Sequence, residues 1–209
     1  AEVENMTPRN AQRALYSDIL NLSIAQKEYQ QIFGVLNKTS TVYTVSELLT
    51  SVLQDSLSKH SLVSDICKYE QAEKDYDFLM NMPAETLAKI LIEGLPIQMN
   101  TLTNFLQDEY YALKPLYNFY FTRDASAIIG NNAVICKMAN KVRLRESLIM
   151  NAIYKSGLFF NSNIINMNTL ALDNRDVMVE GGDLLVARED ILLVGNGSRT
   201  SAQAIEMLV

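Results

Sequence analysis

The sequence contains few of the residues that build disulfide-linked or zinc-stabilised domains. Among 209 residues it has 2 cysteines and 1 histidine. Cys67 and Cys136 are far apart, and neither belongs to a CxxC pair or to a Cys/His spacing that binds zinc. The sequence therefore predicts no disulfide framework and fits a reducing compartment. A chain of this length can bury a hydrophobic core without such cross-links.

The chain also lacks an excess of positive charge and lacks long apolar runs. It has 18 Lys and Arg residues against 24 Asp and Glu residues, which gives a net charge of −6 at pH 7. A basic surface for phosphate backbones is therefore missing, so we expect no nucleic-acid partner. The longest apolar runs, such as residues 191–194, are much shorter than the roughly 20 residues of a membrane helix. We expect no membrane span, no signal peptide and a cytoplasmic location.

The N-terminal half of the chain is rich in patterns typical of helices. Residues 7–8 (Thr-Pro) form a cap followed by proline, and residues 23–26 resemble a capping box. Ser46 is predicted to begin a further helix with one apolar face. Residues 83–94 begin with proline and end on glycine, as helices often do. We expect a compact all-helical insert at about residues 46–112.

From about residue 117 the pattern changes to short β-rich runs separated by turn residues. The predicted elements are strands at residues 118–121, 126–129 and 133–138, a helix at 145–155, strands at 177–180, 184–187 and 191–194, and a helix at 199–208. The order strand, strand, strand, helix thus occurs twice. This predicts an internally repeated α/β architecture.

One segment in this half, Val-Glu-Gly-Gly-Asp-Leu-Leu at residues 179–185, combines two acids with a glycine pair. Glycine weakens a strand unless something approaches its backbone closely, and carboxylates are rarely buried without a partner. The segment therefore resembles the floor of a cation-binding pocket, with Glu180 and Asp183 as its acids. The alternative is a β-bulge whose glycines supply the backbone angles.

Five short motifs follow one another in the second half of the chain: Asn-Phe-Tyr-Phe-Thr-Arg-Asp at residues 118–124, Ile-Gly-Asn at 129–131, Val-Arg-Leu-Arg-Glu at 142–146, Glu-Gly-Gly-Asp at 180–183 and Gly-Ser-Arg-Thr at 197–200. Taken in this order, they closely resemble the motifs of the arginine deiminases. That family belongs to the guanidine-modifying superfamily, whose pentein fold is a five-bladed pseudosymmetric α/β propeller. The resemblance therefore implies an α/β fold, a partial propeller formed by residues 1–45 and 113–209 around the helical insert.

The resemblance also implies a reaction, the hydrolysis of L-arginine to L-citrulline and ammonia without a metal or organic cofactor. A guanidinium is a planar cation whose N–H groups match the two oxygens of a carboxylate. By resemblance, Asp124 binds the substrate's guanidinium, and Glu180 binds it and also moves protons. The glycines after Glu180 would then let the backbone approach the ligand.

At the other end of the substrate, the resemblance implies a site for the α-carboxylate. Arg143, Arg199 and Asn118 match the family residues that bind this carboxylate, and Phe121 matches an aromatic residue that lines the pocket. Together with the two acids these residues would form part of a substrate pocket for L-arginine.

The nucleophilic cysteine and the acid/base histidine of the family do not match any motif in these residues. We expect both to lie beyond Val209 and the first strand to precede Ala1 in the intact protein, so this chain alone should be inactive. Cys67 and Cys136 have apolar neighbours typical of buried packing thiols. His60 has no Cys, Glu or His at ligand spacing, which leaves a surface position and a ligand role both open.

Two further functions are compatible with the same residues. A non-catalytic guanidino-ligand binding domain, or pseudoenzyme, would use the acids and arginines without covalent chemistry. A metal site formed by Glu180 and Asp183 is a weaker alternative, because two acids three residues apart in an extended segment need not point the same way. An incomplete propeller also exposes blade edges, so self-association into a homo-oligomer is a hypothesis.

Overall fold

The computed structural model of the chain describes residues 6, 16, 19–97, 100–102, 106, 110–171 and 177–208. Its helices are α1 (Leu22–Leu36), α2 (Val45–Val52), α3 (Ser56–Glu70), α4 (Tyr76–Met80), α5 (Ala84–Glu93), α6 (Thr122–Ala125), α7 (Leu144–Lys155), α8 (Met167–Leu170) and α9 (Ala202–Leu208). Its strands are β1 (Leu95–Pro96), β2 (Tyr111–Leu113), β3 (Ser126–Ile129), β4 (Asn132–Ile135), β5 (Asn163–Asn166), β6 (Leu184–Arg188) and β7 (Ile191–Val194). The predicted helix start at residues 7–8 lies outside the described residues.

The chain divides into two compact units, and all of the charged motifs fall in the second. The first unit comprises Ala1–Ser56 and Cys67–Tyr117, and the second comprises Leu57–Ile66 and Asn118–Val209. The fold is therefore mixed α/β with small sheets, in which β1 and β2 pair in the first unit and the other strands lie in the second.

Two helix starts in the first unit lie earlier than predicted. Helix α1 is capped by Asn21, whose side chain accepts hydrogen bonds from the Ser23 and Ile24 amides, so the capping box predicted at residues 23–26 is wrong. Helix α2 begins after Thr44 and not at Ser46. In both cases a better cap stands one or two residues upstream and satisfies the first free amides of the helix.

Helix α5 packs against α2 in the first unit. The apolar faces of the two helices bury Leu48, Leu49 and Val52 on α2 and Leu87, Ala88 and Leu91 on α5. The predicted boundaries of α5 are confirmed, with Pro83 before the helix and Gly94 after it. Gly94 has a φ of +94°, and a Cβ there would lie 2.7 Å from the Leu113 carbonyl oxygen, so only glycine fits this turn.

In the second unit, the strand predicted at residues 118–121 is wrong. The Phe121 amide donates to the Asn118 carbonyl oxygen at 3.0 Å, the Asp124 amide donates to the Phe121 carbonyl oxygen at 3.0 Å, and α6 follows this turn. The aromatic residues of the segment favour a strand by propensity, but tertiary contacts override that preference. The turn brings Asp124 to the N-terminal side of the β3–β4 hairpin.

The two cycles predicted from the pattern share a hairpin followed by a helix. Strands β3 and β4 are antiparallel, α7 follows, and β5 then pairs parallel to β4. Strands β6 and β7 form a second antiparallel hairpin, and α9 follows. The strand predicted at residues 177–180 is wrong, because these residues join no sheet within the described chain; the Val179 amide donates instead to the Lys137 carbonyl oxygen.

Helix α9 also begins later than the predicted residue 199. The Gly197 amide donates to the Thr200 carbonyl oxygen at 2.9 Å, so residues 197–200 form a turn ahead of the helix. Arg199 therefore sits on a turn and not on a helix. Within the described ranges, no helix is both long and apolar enough to cross a membrane.

We predict that Thr44→Ala destabilises the first unit through loss of the α2 cap. The Thr44 hydroxyl accepts from the Glu47 amide and the Glu47 carboxylate accepts from the Thr44 amide, so both bonds of a capping box are present. The expected loss is about 1 kcal/mol of unfolding free energy, measured by urea denaturation. Thr41→Ala, at an exposed position outside the helix, is the matched control; equal losses for the two variants would contradict the assignment of the cap.

Candidate active site

Four charged residues converge in the second unit from separate parts of the sequence. Asp124 lies in α6, and Arg143 ends the short 3₁₀ turn that leads into α7. Glu180 precedes a second 3₁₀ turn, and Arg199 lies on the turn before α9. Each residue is thus placed where an element begins or ends, so the side chains can meet without interrupting a sheet.

The guanidinium of Arg143 is at the centre of this cluster. Its Nη1 donates to Oδ2 of Asp124 at 2.8 Å and lies 3.6 Å from Oε2 of Glu180. Its Nη2 donates to the backbone carbonyl of Asn118 at 3.4 Å. The Arg143 side chain is only 3% exposed, whereas that of Asp124 is 18% exposed, so solvent reaches the pair from the Asp124 side.

A third carboxylate, Glu146, binds the opposite edge of the same guanidinium. Arg143 Nε donates to both Glu146 oxygens at 3.1 Å, and Nη2 donates to Oε2 at 2.8 Å. Glu146 lies in the first turn of α7, three residues after Arg143. This contact was not predicted from the sequence, although a spacing of three residues at a helix start is a signal that could have revealed it.

The second arginine of the cluster lies at its surface. Arg199 Nη1 donates to Oε2 of Glu180 at 3.3 Å; the Arg199 side chain is 57% exposed and that of Glu180 is 4% exposed. Glu180 is therefore a buried acid between a buried arginine and an exposed one. The exposed guanidinium can turn toward an incoming anion with little loss of packing.

Burial and charge act in opposite directions on the ionisable groups of the cluster. Burial raises the pKa of Glu180, while Arg143 and Arg199 oppose this rise. Burial also raises the pKa of Glu146 to about 7, because desolvation and the nearby acids outweigh its contact with Arg143. Burial alone would lower the pKa of Arg143, but Glu146 and Asp124 raise it above its ordinary value. Arg143 thus remains charged, while its contacts only partly offset the effect of burial on Glu146 and Glu180.

Asp183, the other acid of the Glu-Gly-Gly-Asp motif, has a different partner. The buried Thr200 hydroxyl donates to Asp183 Oδ2 at 2.6 Å and accepts from the Glu180 amide at 3.2 Å. Thr200 therefore ties the segment that carries Glu180 to the turn that carries Arg199. The carboxylates of Glu180 and Asp183 face different groups, which gives no support to their sharing a metal ion.

The glycine pair of this motif accommodates the close approach of α6. A Cβ at Gly181 would collide with the backbone carbonyl of Arg123, and one at Gly182 would lie 2.6 Å from Asp124 Oδ1. The expected close approach to this backbone is therefore present, but the approaching group belongs to the chain itself. It places the turn directly against Asp124.

The two remaining residues that were predicted for the pocket are Asn118 and Phe121. Asn118 is buried and contributes its backbone carbonyl to Arg143. Phe121 is 48% exposed, and its ring centroid lies 4.0 Å from that of Tyr120. The structure thus brings Asn118 to the charged cluster, whereas the ring of Phe121 packs on that of Tyr120.

Comparison with known proteins agrees with the motifs that form this cluster. The family model described as arginine deiminase matches residues 12–209. The chain belongs to the arginine deiminase family. It is 33% identical to an arginine deiminase of Bacillus cytotoxicus over 99% of the chain, and 33% identical to one of Listeria innocua over all of it. These alignments cover 53% and 54% of the relatives, so the chain spans about half their length.

Both cysteines of this member of the arginine deiminase family are buried, one in each unit. Burial raises the pKa of Cys136 to about 12, although the Gly181 amide opposes the rise. Burial raises the pKa of Cys67 to about 11, with added repulsion from Asp75 and Glu73. Both side chains therefore stay protonated at neutral pH, which makes them poor nucleophiles. His60 lies exposed on α3, as a surface histidine would.

We predict that neither thiol reacts with a disulfide reagent such as DTNB in the native protein at pH 8. Both sulfurs are buried, and their raised pKa values leave little thiolate at that pH. The measurement is the absorbance of released thiol with and without 6 M guanidinium chloride. Two thiols should react in denaturant; rapid release from the native protein would show that one of them is activated.

We also predict that Gly181→Ala destabilises the second unit strongly. The added methyl meets the backbone of α6, which cannot move aside without disturbing Asp124, so we expect a loss of about 1–3 kcal/mol or more. Gly197→Ala is the matched control, because a Cβ there has nothing within 4 Å. Thermal unfolding of both variants makes the comparison, and a Gly181→Ala variant as stable as the control would show that this contact is loose.

Proposed function

We propose that the intact protein hydrolyses L-arginine to L-citrulline and ammonia, and that this chain supplies part of its substrate site. One observation carries the proposal: Asp124 and Glu180 already surround a guanidinium group, that of Arg143. This internal guanidinium supports the proposal that the two acids bind a guanidinium ligand. Family membership supports the same reaction, since the relatives are arginine deiminases.

The proposed roles of the acids follow from their surroundings. Asp124 is partly exposed, and its carboxylate can bind the N–H groups of an incoming guanidinium. Glu180 is buried and its pKa is raised, so it can hold a proton closer to neutral pH than an ordinary glutamate can. A group with such a pKa can both accept and return a proton during hydrolysis.

The proposed roles of the arginines concern the other end of the substrate. Arg199 is exposed beside Glu180, and Arg143 lies beside Asp124. With the help of Asn118, the two guanidinium groups would bind the α-carboxylate of L-arginine. Phe121, half-exposed next to this region, would line the aliphatic part of the substrate.

The covalent chemistry would come from elsewhere in the intact protein. A thiolate attacks the guanidinium carbon, ammonia leaves, and water then breaks the carbon–sulfur bond to release citrulline and restore the thiol. Both thiols of this chain are buried and protonated. We therefore propose that the nucleophile and its histidine partner lie outside these residues, and that this chain alone binds guanidino ligands without turnover.

Several larger features remain predictions. The repeated hairpin and helix support a five-bladed α/β propeller, with residues 46–112 inserted as a helical domain. The net charge of −6 disfavours a nucleic-acid partner. A cytoplasmic location and self-association stay expectations that follow from the sequence alone.

The test is citrulline formation from L-arginine by the intact protein, with its mass verified on the same sample. Asp124→Asn should lower kcat/KM by about 100-fold or more, because a neutral amide cannot hold the guanidinium. Asp190→Asn is the matched control, since Asp190 is exposed and pairs with Arg188 away from the cluster.

The outcomes separate the two candidate functions. Citrulline from the wild type and its loss in Asp124→Asn support the deiminase. Binding of L-arginine without citrulline would favour a non-catalytic guanidino-ligand binding protein. Citrulline formed by this chain alone, at its own mass, would show that one of its own thiols is the nucleophile.

A further inference from the structure

Glu146 binds one edge of the Arg143 guanidinium, the edge formed by Nε and Nη2. The third nitrogen, Nη1, contacts different partners. Glu146 accepts hydrogen bonds from Nε and Nη2, at 2.8 to 3.1 Å. Nη1 instead contacts Asp124 and lies near Glu180. Two parallel bonds fix the plane of a guanidinium as well as its position, so Glu146 determines where Nη1 points.

The partners of Nη1 are the same acids that the proposed function assigns to the substrate's guanidinium. A substrate guanidinium bound to Asp124 and Glu180 would compete with the buried Nη1 for these carboxylates. A buried cation that loses an anionic partner is strongly destabilised unless another anion replaces it. The α-carboxylate of the substrate is such an anion.

We propose that Glu146 is a positioning residue that holds Arg143 in place to receive the substrate's α-carboxylate, and thereby sets the preference for guanidines that carry one. The inference rests on the proposed function. Glu146 acts through Arg143 and touches no substrate itself. A guanidine without a carboxylate would displace Nη1 from the acids and offer no anion in return, so it would bind less well.

The test compares L-arginine with agmatine, which lacks the carboxylate, as ligands of the intact protein in titration calorimetry. Both ligands compete with Nη1 for the acids, so the ratio of their dissociation constants isolates the contact with the carboxylate. Glu146→Gln removes the negative charge and one of the two acceptor oxygens that face Nε and Nη2, so it holds the guanidinium less firmly, and we expect it to lower the preference for L-arginine by about 10-fold or more. Ser147→Ala, the next residue of α7 and equally buried, is the matched control and should leave the ratio unchanged.

A second pair of variants tests whether Glu146 acts through Arg143. In an Arg143→Met background, which removes the cation, Glu146→Gln should not lower the preference any further, because coupled residues give non-additive effects. If Glu146→Gln alone does not fold, Glu146→Asp, whose shorter side chain breaks the two-bond contact, replaces it with the same expected loss.

The results distinguish a positioning role of Glu146 from a purely structural role. Equal loss of affinity for both ligands, or an unchanged ratio, would show that Glu146 has only a structural role and would overturn the proposal. A wild type that binds neither ligand would overturn it as well. A wild type that prefers L-arginine, loses this preference in Glu146→Gln and yet forms no citrulline would refute the deiminase function while retaining the positioning role.

Discussion

The charged cluster of the second unit is organised around a buried cation, the guanidinium of Arg143. Three carboxylates, those of Asp124, Glu146 and Glu180, face it from different segments of the chain. Removing one member of such a buried set typically destabilises a protein by about 3–5 kcal/mol, because the remaining charges are left uncompensated. The cation thus links α6, α7 and the turn after Glu180, and the same link forms the candidate active site.

Close approach of neighbouring backbone segments allows these charged side chains to meet. The glycine pair lets one turn lie against α6, and Thr200 ties that turn to the segment that carries Arg199. Three of the four segments, those of α6, Glu180 and Arg199, are therefore joined by contacts other than ion pairs. This matters, because a buried ion pair stabilises a fold only where its geometry is already well defined.

The hairpins and helices near the site could be predicted from the sequence, whereas the turns between them could not. Two segments show the apolar pattern that is typical of strands, and both form strands: residues 126–129 and 191–194. Residues 118–121 have the same strand propensity, but they form a turn. The backbone carbonyl of Asn118 in this turn accepts a hydrogen bond from Arg143. Such a turn depends on a partner 25 residues away, which no local pattern encodes.

The motifs likewise predicted which charged residues lie together better than how they pair. Asp124, Arg143, Glu180 and Arg199 were expected in one site from family resemblance, and the structure brings them together. Their pairing differs from the simple expectation, since the arginines contact the acids themselves. Opposite charges that are buried side by side compensate each other's loss of hydration.

The burial that suits these acids to a guanidinium also makes the neighbouring thiol unsuitable as a nucleophile. Cys136 experiences the negative charges of Glu180 and Asp124, which add to the effect of burial and raise its pKa. A thiol activated for attack needs the opposite surroundings, with positive charge or a base beside it. A cluster rich in carboxylates therefore suits a guanidinium, whereas it disfavours the thiolate form of the neighbouring Cys136.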